Sequence, residues 1–203
     1  MVSEHYFSAT PGGEFTPYPI SVALGGREHE VLSARGVFSH DGLDRGTAVL
    51  LRSVPAPPGA GNLLDIGCGW GAISLDAALN SPELDVFALD VNERALELTA
   101  RNAEKLALDH VRALRADQLP QDVMFDEIRS NPPIRVGKEV LHSLMRTYLP
   151  RLVVGGIAYL VVAKNLGALS FEKWLATEFA STHTVSRFAR DKGFHVIAVT
   201  RTA

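Results

Sequence analysis

The sequence predicts an α/β fold built around an open, mostly parallel β-sheet. A short apolar run at residues 62–66 leads into a turn with three glycines at 67–71, and this turn opens a helix-like segment. Strand, glycine turn and helix in this order form the first unit of the α/β sheets that bind nucleotides. Strands and helices then alternate, which implies parallel strands joined by right-handed crossovers. Two closing strands are separated only by Asp191-Lys192-Gly193, which predicts an antiparallel hairpin at the sheet edge.

Residues 1–54 are predicted to form a small N-terminal β flap and one helix, packed on a core that spans residues 55–203. Within the flap, residues 20–24 alternate apolar and polar side chains, and a glycine pair at 25–26 suits a hairpin turn. Residues 30–33 suit the returning strand. The two parts are expected to make one compact domain.

The remaining elements follow from apolar periodicity and from cap and breaker residues. A helix begins near Asp44 or Arg45, with Ala48, Leu50 and Leu51 inward, and the prolines of 54–59 end it. Core strands are predicted at 62–66, 84–89, 111–115, 125–130, 155–163, 183–189 and 194–201. Core helices are predicted at 70–80, 92–107 and 137–150, and a last one from Ser170 as its N-cap. The buried face of helix 137–150 is expected to comprise Val140, Leu141, Leu144, Met145, Tyr148 and Leu149.

Composition indicates a soluble cytoplasmic protein. The 203 residues are 46% hydrophobic and 21% charged, and no apolar run approaches the roughly 20 residues that cross a bilayer. The first residues contain no signal-peptide pattern. The single cysteine, Cys68, cannot form an internal disulfide, and its place in the glycine turn suggests a small filler. The histidines at 40, 142, 183 and 195 lack the spacing of metal ligands, so no metal site is predicted.

Charge is distributed unevenly along the chain. Residues 1–134 contain 10 Lys and Arg against 19 Asp and Glu, whereas residues 135–203 contain 10 against 4. A basic C-terminal third suits contact with a polyanion. The alternative is that these side chains only form the solvent-exposed faces of helices and bind no partner.

Polar residues follow the predicted strands at the sheet edge where such folds bind ligands. Asp90 ends strand 84–89, 19 residues after Gly71, and is placed to accept hydrogen bonds from a ribose diol. Asn92 is better explained as the N-cap of the next helix. Asp117, followed by Gln118, could accept from the exocyclic amine of adenine or could be a turn residue. The glycine turn itself fits both the dinucleotide fingerprint and the first motif of S-adenosylmethionine-dependent methyltransferases.

The sequence Asn131-Pro132-Pro133-Ile134 after strand 125–130 discriminates between these cofactors. Two prolines fix the backbone, so that the Asn131 side-chain oxygen and the Pro132 carbonyl form a rigid pair of acceptors. Such a pair can hold both N–H bonds of a flat amino group and aim its nitrogen at an electrophilic methyl group. A dehydrogenase has no use for this clamp. The alternative is a simple Asx-Pro turn.

With these motifs the chain resembles class I S-adenosylmethionine-dependent methyltransferases, and more closely their "small" domain family, typified by a ribosomal RNA guanine-N2 enzyme. Further resemblance lies in Gly36-Val37-Phe38-Ser39 with Leu43-Asp44-Arg45-Gly46-Thr47, in the stretch 131–140, and in Lys164-Asn165-Leu166-Gly167-Ala168 and Lys192-Gly193-Phe194-His195-Val196. The resemblance covers nearly the whole chain. It implies a seven-stranded Rossmann-like sheet in the order 3-2-1-4-5-7-6, with strand 7 antiparallel.

The resemblance also implies roles for individual residues. Asn131 and Pro132 would be catalytic, and Pro133, Ile134, Arg135 and Lys138 would bind the substrate. The implied S-adenosylmethionine site comprises Phe38, Asp44, Thr47, Asp65, Gly67, Cys68, Gly69, Gly71, Asp90, Val91, Asp117, Gln118 and Asn131. Two differences from the long members of the family are expected to matter. Those members carry an additional N-terminal copy of the domain that is not found in these residues, and they have an aromatic residue where this chain has Ile134, which reduces stacking on a flipped base.

The favoured hypothesis is an RNA guanine-N2 methyltransferase, monomeric or homodimeric, that contacts ribosomal RNA phosphates through Arg135, Lys138, Arg146 and Arg151. An alternative is the same chemistry on a protein glutamine or a small-molecule amine. A cofactor-binding module without activity and a nicotinamide enzyme are further alternatives. S-adenosylmethionine binding without NAD binding would distinguish a methyltransferase from the last of these.

Overall fold

The computed structural model describes residues 14–203, apart from the side chain of Arg135. The predicted β flap is present as an antiparallel pair, β1 (Tyr18–Leu24) and β2 (Arg27–Ser33). Gly25 and Gly26 form its turn with φ of 54° and 76°, a conformation that glycine adopts readily. The predictions for residues 1–13 lie outside the described residues.

Nine strands and five helices are described in residues 14–203, in addition to short 3-10 turns. The helices are α1 (Arg45–Ser53), α2 (Ala72–Asn80), α3 (Glu93–Lys105), α4 (Lys138–Tyr148) and α5 (Ala168–Glu178). The strands of the main sheet are β3 (Ala60–Ile66), β4 (Glu83–Leu89), β5 (Val111–Leu114), β6 (Phe125–Ser130), β7 (Leu152–Ala163), β8 (His183–Asp191) and β9 (Phe194–Arg201).

These seven strands form one sheet in the order β5-β4-β3-β6-β7-β9-β8. If β3 is counted as strand 1, this order is 3-2-1-4-5-7-6, so the predicted order is confirmed. β5, β4, β3, β6 and β7 are parallel, and β9 runs antiparallel to both β7 and β8. The carboxyl ends of the five parallel strands therefore lie at one edge, where open α/β sheets place their ligands.

Helices cover both faces of the sheet. On one face α1, α2, α3 and the β flap pack against buried side chains such as Leu63 and Val161. On the other face α4 and α5 pack against Leu64 and Ile128. At the ligand edge, the Ser130 hydroxyl donates to the Ile66 carbonyl at 2.6 Å, which holds the ends of β6 and β3 together.

A buried ion pair lies within β6. The guanidinium of Arg129 contacts the carboxylate of Glu127, and both side chains are almost completely buried. A second nitrogen of Arg129 donates to the Pro55 carbonyl at 2.9 Å. Burial raises the pKa of Glu127, and the attraction of Arg129 opposes that shift.

Several local predictions were wrong. α5 begins at Ala168 with Gly167 as its N-cap, and the Ser170 hydroxyl donates to the Gly167 carbonyl inside the first turn. Val140 is 48% exposed because it lies on the outer side of α4, whereas Met145 is buried as expected. In α1 the inward positions of Leu50 and Leu51 are confirmed, whereas Ala48 is only half-buried and Val49, which was not predicted, is buried. α2 starts two residues late because Gly71 has φ of 100°.

Candidate active site

A cavity of about 840 Å³ opens at the carboxyl ends of the parallel strands. One part of its wall comes from Gly67 in the glycine turn after β3 and from Asp90 after β4. Another part comes from residues 131–134 after β6. The third comes from Asn165 and Leu166 after β7 and from Phe194 at the start of β9. The fold thus brings these five chain segments together around one space.

The glycine turn is folded back over the end of β4. The amides of Gly67 and Cys68 both donate to the Leu89 carbonyl, at 2.8 and 2.9 Å. Gly67 has φ of 78°, and a Cβ built on it would meet no atom within 4 Å, so this side of the backbone faces open space. Gly69 also has a positive φ of 59°. Glycine here keeps the wall thin enough for close approach of a ligand.

Asp65 lies beneath the turn and not in the cavity wall. One oxygen, Oδ2, accepts from the Ser74 amide at 3.1 Å and from the Ser74 hydroxyl at 2.6 Å, which anchors the first turn of α2. The other oxygen, Oδ1, is buried without a partner among the described residues. Burial raises the pKa of Asp65 to about 7, because the charged carboxylate is desolvated.

Asp90 lies in the cavity wall and is held by two backbone amides. Its Oδ2 accepts from Gly69 at 3.0 Å and its Oδ1 accepts from Asn92 at 2.9 Å. Burial raises the pKa of Asp90, while these N–H groups lower it. Val91 follows in the wall with 56% of its surface exposed, and the Asn92 side chain caps α3 through the Arg94 amide, as predicted.

The side chains proposed for adenine recognition lie elsewhere. The Asp117 carboxylate accepts from Arg115 Nε at 3.1 Å, and the Gln118 side-chain oxygen accepts from the Arg115 amide at 2.8 Å. Both residues are exposed, and only their neighbour Ala116 reaches the cavity wall. The structure therefore does not bring Asp117 and Gln118 into the site.

Cys68 is buried with its Sγ 3.5 Å from the Thr99 hydroxyl. Burial raises the pKa of the Cys68 thiol well above its ordinary value. The nucleophilic thiolate is therefore disfavoured, which agrees with a filler role.

Asn131 is oriented by two side chains from the start of α1. Its Nδ2 donates to Asp44 Oδ2 at 2.8 Å and to Thr47 Oγ1 at 3.1 Å. The same Asp44 oxygen caps α1 by accepting from the Gly46 and Thr47 amides at 2.7 and 3.1 Å. Both N–H bonds of the amide are thereby used. Asn131 Oδ1 has no protein partner in the described part of the chain, so it is available to accept a hydrogen bond from a ligand.

The second acceptor is fixed by the prolines. The Pro132 carbonyl accepts from the Ile134 amide at 2.8 Å, and Pro133 has φ of −74° and ψ of 73°. These values describe an inverse γ-turn. A carbonyl oxygen has two lone pairs, so one remains for a ligand. Side chain and main chain thus supply two acceptors in the same cavity wall, each oriented by a separate hydrogen bond.

The aromatic side chains of the site come from outside this motif. Phe38 is 43% exposed and lies in the cavity wall. Tyr148 of α4 and Phe194 of β9 complete the wall. Sequence reasoning missed these last two as site residues, although Phe194 belongs to a C-terminal signature that it did identify.

The basic residues proposed to contact phosphates are dispersed. Lys138 is exposed at the start of α4, next to the Asn131 segment. Arg146 pairs with Glu178 at 2.6 Å. Arg151 precedes β7, so it lies at the opposite end of that strand from the cavity, and it donates to the Pro120 and Val123 carbonyls. Arg151 is therefore distant from the cavity, and its predicted contact with RNA phosphates stays a prediction.

Membrane and metal features complete the description of residues 14–203. No helix in this part of the chain is long and apolar enough to span a bilayer. The same residues contain no group of three or more His, Cys, Asp or Glu side chains arranged to hold a metal ion.

Comparison with known proteins gives consistent matches. The model of the family described as methyltransferase small domain matches residues 28–198. YbxB of Bacillus subtilis, described as an uncharacterized protein, is 33% identical over 199 residues, which cover 97% of this chain and 98% of YbxB. Ribosomal RNA small subunit methyltransferase C of Aeromonas hydrophila is 34% identical over 173 residues, covering 83% of this chain and 49% of that protein.

Among solved structures, the T. thermophilus 16S rRNA N2 guanine methyltransferase RsmC, in complex with AdoMet and guanosine, matches with a TM-score of 0.75 and 23% identity. The match covers 95% of this chain and 52% of RsmC. The chain therefore spans nearly all of YbxB but about half the length of the two ribosomal RNA methyltransferases.

Proposed function

The chain belongs to the methyltransferase small domain family, and we propose that it transfers a methyl group from S-adenosylmethionine to the exocyclic N2 amine of a guanine in ribosomal RNA. The observation that carries the acceptor chemistry is the orientation of Asn131. Its nitrogen is engaged by Asp44 and Thr47, which leaves its oxygen and the Pro132 carbonyl as paired acceptors.

S-adenosylmethionine fits the other half of the cavity. The open side of Gly67 leaves room for the cofactor against the backbone, and the Asp90 carboxylate suits a ribose diol. Val91 and Phe38 add apolar surface to the cavity wall. The unpaired, buried Asp65 oxygen beneath the turn suits a nearby positive charge. When bound, the cofactor supplies a methyl group attached to a positively charged sulfur.

The two acceptors position the substrate amine. The N2 amine of guanine is planar, and its nitrogen lone pair is conjugated with the ring. Hydrogen bonds from both of its N–H groups to Asn131 Oδ1 and Pro132 O would hold the nitrogen in one orientation at the cavity. Most of the rate enhancement would come from this positioning, since the proton on the methylated nitrogen can leave to water.

Three facts support RNA as the acceptor. The family match is accompanied by similarity to a ribosomal RNA methyltransferase, and the fold matches an enzyme solved with guanosine. The cavity of about 840 Å³ also has room beyond one cofactor. A guanine in a helix would have to leave the base stack to reach Asn131, and enzymes that modify bases extrude them in this way.

The test is methyl transfer to ribosomal RNA from cells that lack this protein. We expect radioactive label from S-adenosylmethionine to appear in RNA, and mass mapping to locate it as N2-methylguanosine. Asn131→Ala should lower turnover about 100- to 1000-fold, a range typical for removal of one group that orients a reacting centre. Calorimetry should show that the variant still binds S-adenosylmethionine.

Other outcomes would replace parts of the proposal. Label in a glutamine-containing protein or a small amine, and none in RNA, would change the acceptor. Binding of NAD without binding of S-adenosylmethionine would overturn the methyltransferase assignment. Full turnover by Asn131→Ala would show that the pair of acceptors at Asn131 and Pro132 does not hold the substrate amine.

A further inference from the structure

We propose that two adjacent loops form the surface that holds the substrate RNA. These acceptor-side loops are residues 164–166, after β7, and residues 191–194, which comprise the turn between β8 and β9 and the strand residue on each side of it. Phe194 would support the extruded base, and Lys164 and Lys192 would contact phosphates on either side of it. The inference rests on the proposed function, because it names the residues that recognise the same acceptor.

Phe194 lies next to the clamp. Its Cε1 is 3.1 Å from the position of a Cβ built on Gly46, and Asn131 Nδ2 is 3.3 Å from that same point. The ring also lines the cavity and packs on buried side chains such as Val196. A base whose amine reached Asn131 would therefore lie near this ring. Phe194 supplies the flat apolar surface that Ile134 cannot provide.

The two lysines are close to each other and to Phe194. The Lys164 amide donates to the Gly193 carbonyl at 2.8 Å, and Ala163 pairs with Phe194 across β7 and β9. Both lysines are exposed, and neither side-chain amine has a hydrogen bond or ion pair with another described residue. Two uncompensated positive charges thus lie beside the aromatic wall of the cavity.

The acidic neighbour of Lys192 is already engaged. The Asp191 carboxylate accepts from Arg52 Nε at 2.7 Å and also contacts the Arg52 Nη2. Arg52 belongs to α1, so this pair joins the loop to the helix that orients Asn131. Because Asp191 is neutralised by Arg52, the charge of Lys192 remains available for an anion.

The backbone of Lys192 has a left-handed conformation, which a lysine does not favour. Lys192 has φ of 45° and Gly193 has φ of 84°. A two-residue hairpin loop with positive φ at both positions prefers Asn, Asp or Gly at the first of them. Conformations of this kind are enriched at functional sites, although Ala107 after α3 also has a positive φ, of 56°, and lies outside the cavity wall. The lysine at this turn position adds to the exposure and charge described above and does not by itself assign a binding role.

Three other cations of the basic C-terminal third are engaged within the protein. Arg146 pairs with Glu178, Arg187 pairs with Glu172, and Arg151 binds main-chain carbonyls. Lys138, Lys164 and Lys192 place exposed positive charge next to the segments that line the cavity. Single-stranded RNA is bound by such a combination of positive groups and an aromatic platform.

The experiment measures RNA binding and methylation for variants of the full chain. Lys164→Ala with Lys192→Asn should lower the slope of log affinity against log salt by about 1.4, at roughly 0.7 for each lost phosphate contact. Lys192→Asn alone should leave the melting temperature unchanged or raise it, since Asn suits the turn. Arg27→Ala is the matched control, because Arg27 is an exposed cation in the β1–β2 hairpin, away from the cavity.

Phe194→Leu should lower kcat/KM for RNA about 5- to 150-fold, the effect of losing one base–aromatic stack worth about 1–3 kcal/mol. Phe194→Tyr keeps the ring and should retain activity. Neither variant should change the affinity for S-adenosylmethionine more than twofold. Unchanged salt slopes relative to Arg27→Ala, or equal activity of Phe194→Leu and the unmodified chain, would overturn the inference. If the unmodified chain binds S-adenosylmethionine but methylates no RNA, the proposed function itself has failed.

Discussion

Replacement of Thr47 by valine tests how the Asn131 amide is oriented. Thr47 is buried, and its hydroxyl oxygen accepts one of the two Asn131 N–H bonds at 3.1 Å. Valine has nearly the same shape but cannot accept a hydrogen bond. The other N–H bond, to Asp44 at 2.8 Å, remains in the variant, so the amide loses half of its support.

The expected cost follows from these two hydrogen bonds. A neutral hydrogen bond contributes about 0.5–1.5 kcal/mol, and an N–H left unpaired in a partly buried site costs about 1–3 kcal/mol. The productive orientation of Asn131 should therefore lose about 1–3 kcal/mol. We expect kcat/KM for the acceptor to fall roughly 5- to 150-fold, since 1.4 kcal/mol corresponds to a factor of ten.

The assay combines turnover, cofactor binding and stability. Initial rates of methyl transfer give kcat/KM, calorimetry gives the dissociation constant for S-adenosylmethionine, and a circular dichroism melt gives Tm. Thr47→Ser is the control, because it retains the hydroxyl and should keep most of the activity. Cofactor affinity should be nearly unchanged in both variants, whereas the Tm of Thr47→Val should fall by about 2–10 °C, because the lost hydrogen bond also costs folding stability.

Two results would refute this reasoning. Turnover of Thr47→Val within twofold of the unmodified chain would mean that Thr47 does not orient Asn131. Weaker cofactor binding with an unchanged rate at saturation would instead assign Thr47 to the cofactor, the role that the sequence resemblance implies.

Three further predictions concern the cofactor half and the core. Asp90→Ala should raise the dissociation constant of S-adenosylmethionine about 10- to 100-fold, the usual cost of losing charge-assisted hydrogen bonds; calorimetry that shows no change would exclude Asp90 from ribose binding. The pKa of Asp65 is raised from 3.8 to about 7 by burial, so the folded state binds this proton more tightly than the unfolded state. The free energy of unfolding should therefore fall by roughly 4 kcal/mol as pH rises from about 4 to 7, and this fall should be missing in Asp65→Asn. Urea titrations of both proteins at several pH values measure it, and the same pH dependence in both would contradict the prediction. Arg129→Met should destabilise the fold by about 3–5 kcal/mol, because it leaves Glu127 buried without its partner; adding Glu127→Gln should recover much of that loss, and a double variant no more stable than Arg129→Met would argue against the ion pair as the cause.

The fold was predictable because its signals are local. Apolar runs, the glycine turn at 67–71 and the short connection at 191–193 fixed the type of each element, and the right-handed crossover limited the arrangement of the strands. The Asn131-Pro132 motif was also visible, since prolines restrict the backbone wherever they occur.

The hydrogen bonds that orient Asn131 were harder to predict, because they join segments that are far apart in the sequence. Asp44 and Thr47 are 87 and 84 residues from Asn131, and locally they suggest only a helix cap. Asp117 was expected in the cavity wall, but its carboxylate instead accepts a hydrogen bond from Arg115, two residues away. Composition counted Arg151 as a free cation, although main-chain carbonyls engage it on the far side of the sheet.

One oxygen atom, Asp44 Oδ2, serves both the first turn of α1 and the Asn131 amide. A nine-residue helix is marginal by itself, so its terminus is a natural place for fraying during mild heating or storage. The bonds that shape the glycine turn lie in β3, β4 and α2 and would survive such an event. A sample in which this terminus has frayed would still bind S-adenosylmethionine but would not transfer its methyl group. Full occupancy of the cofactor site would therefore be a poor measure of the active fraction.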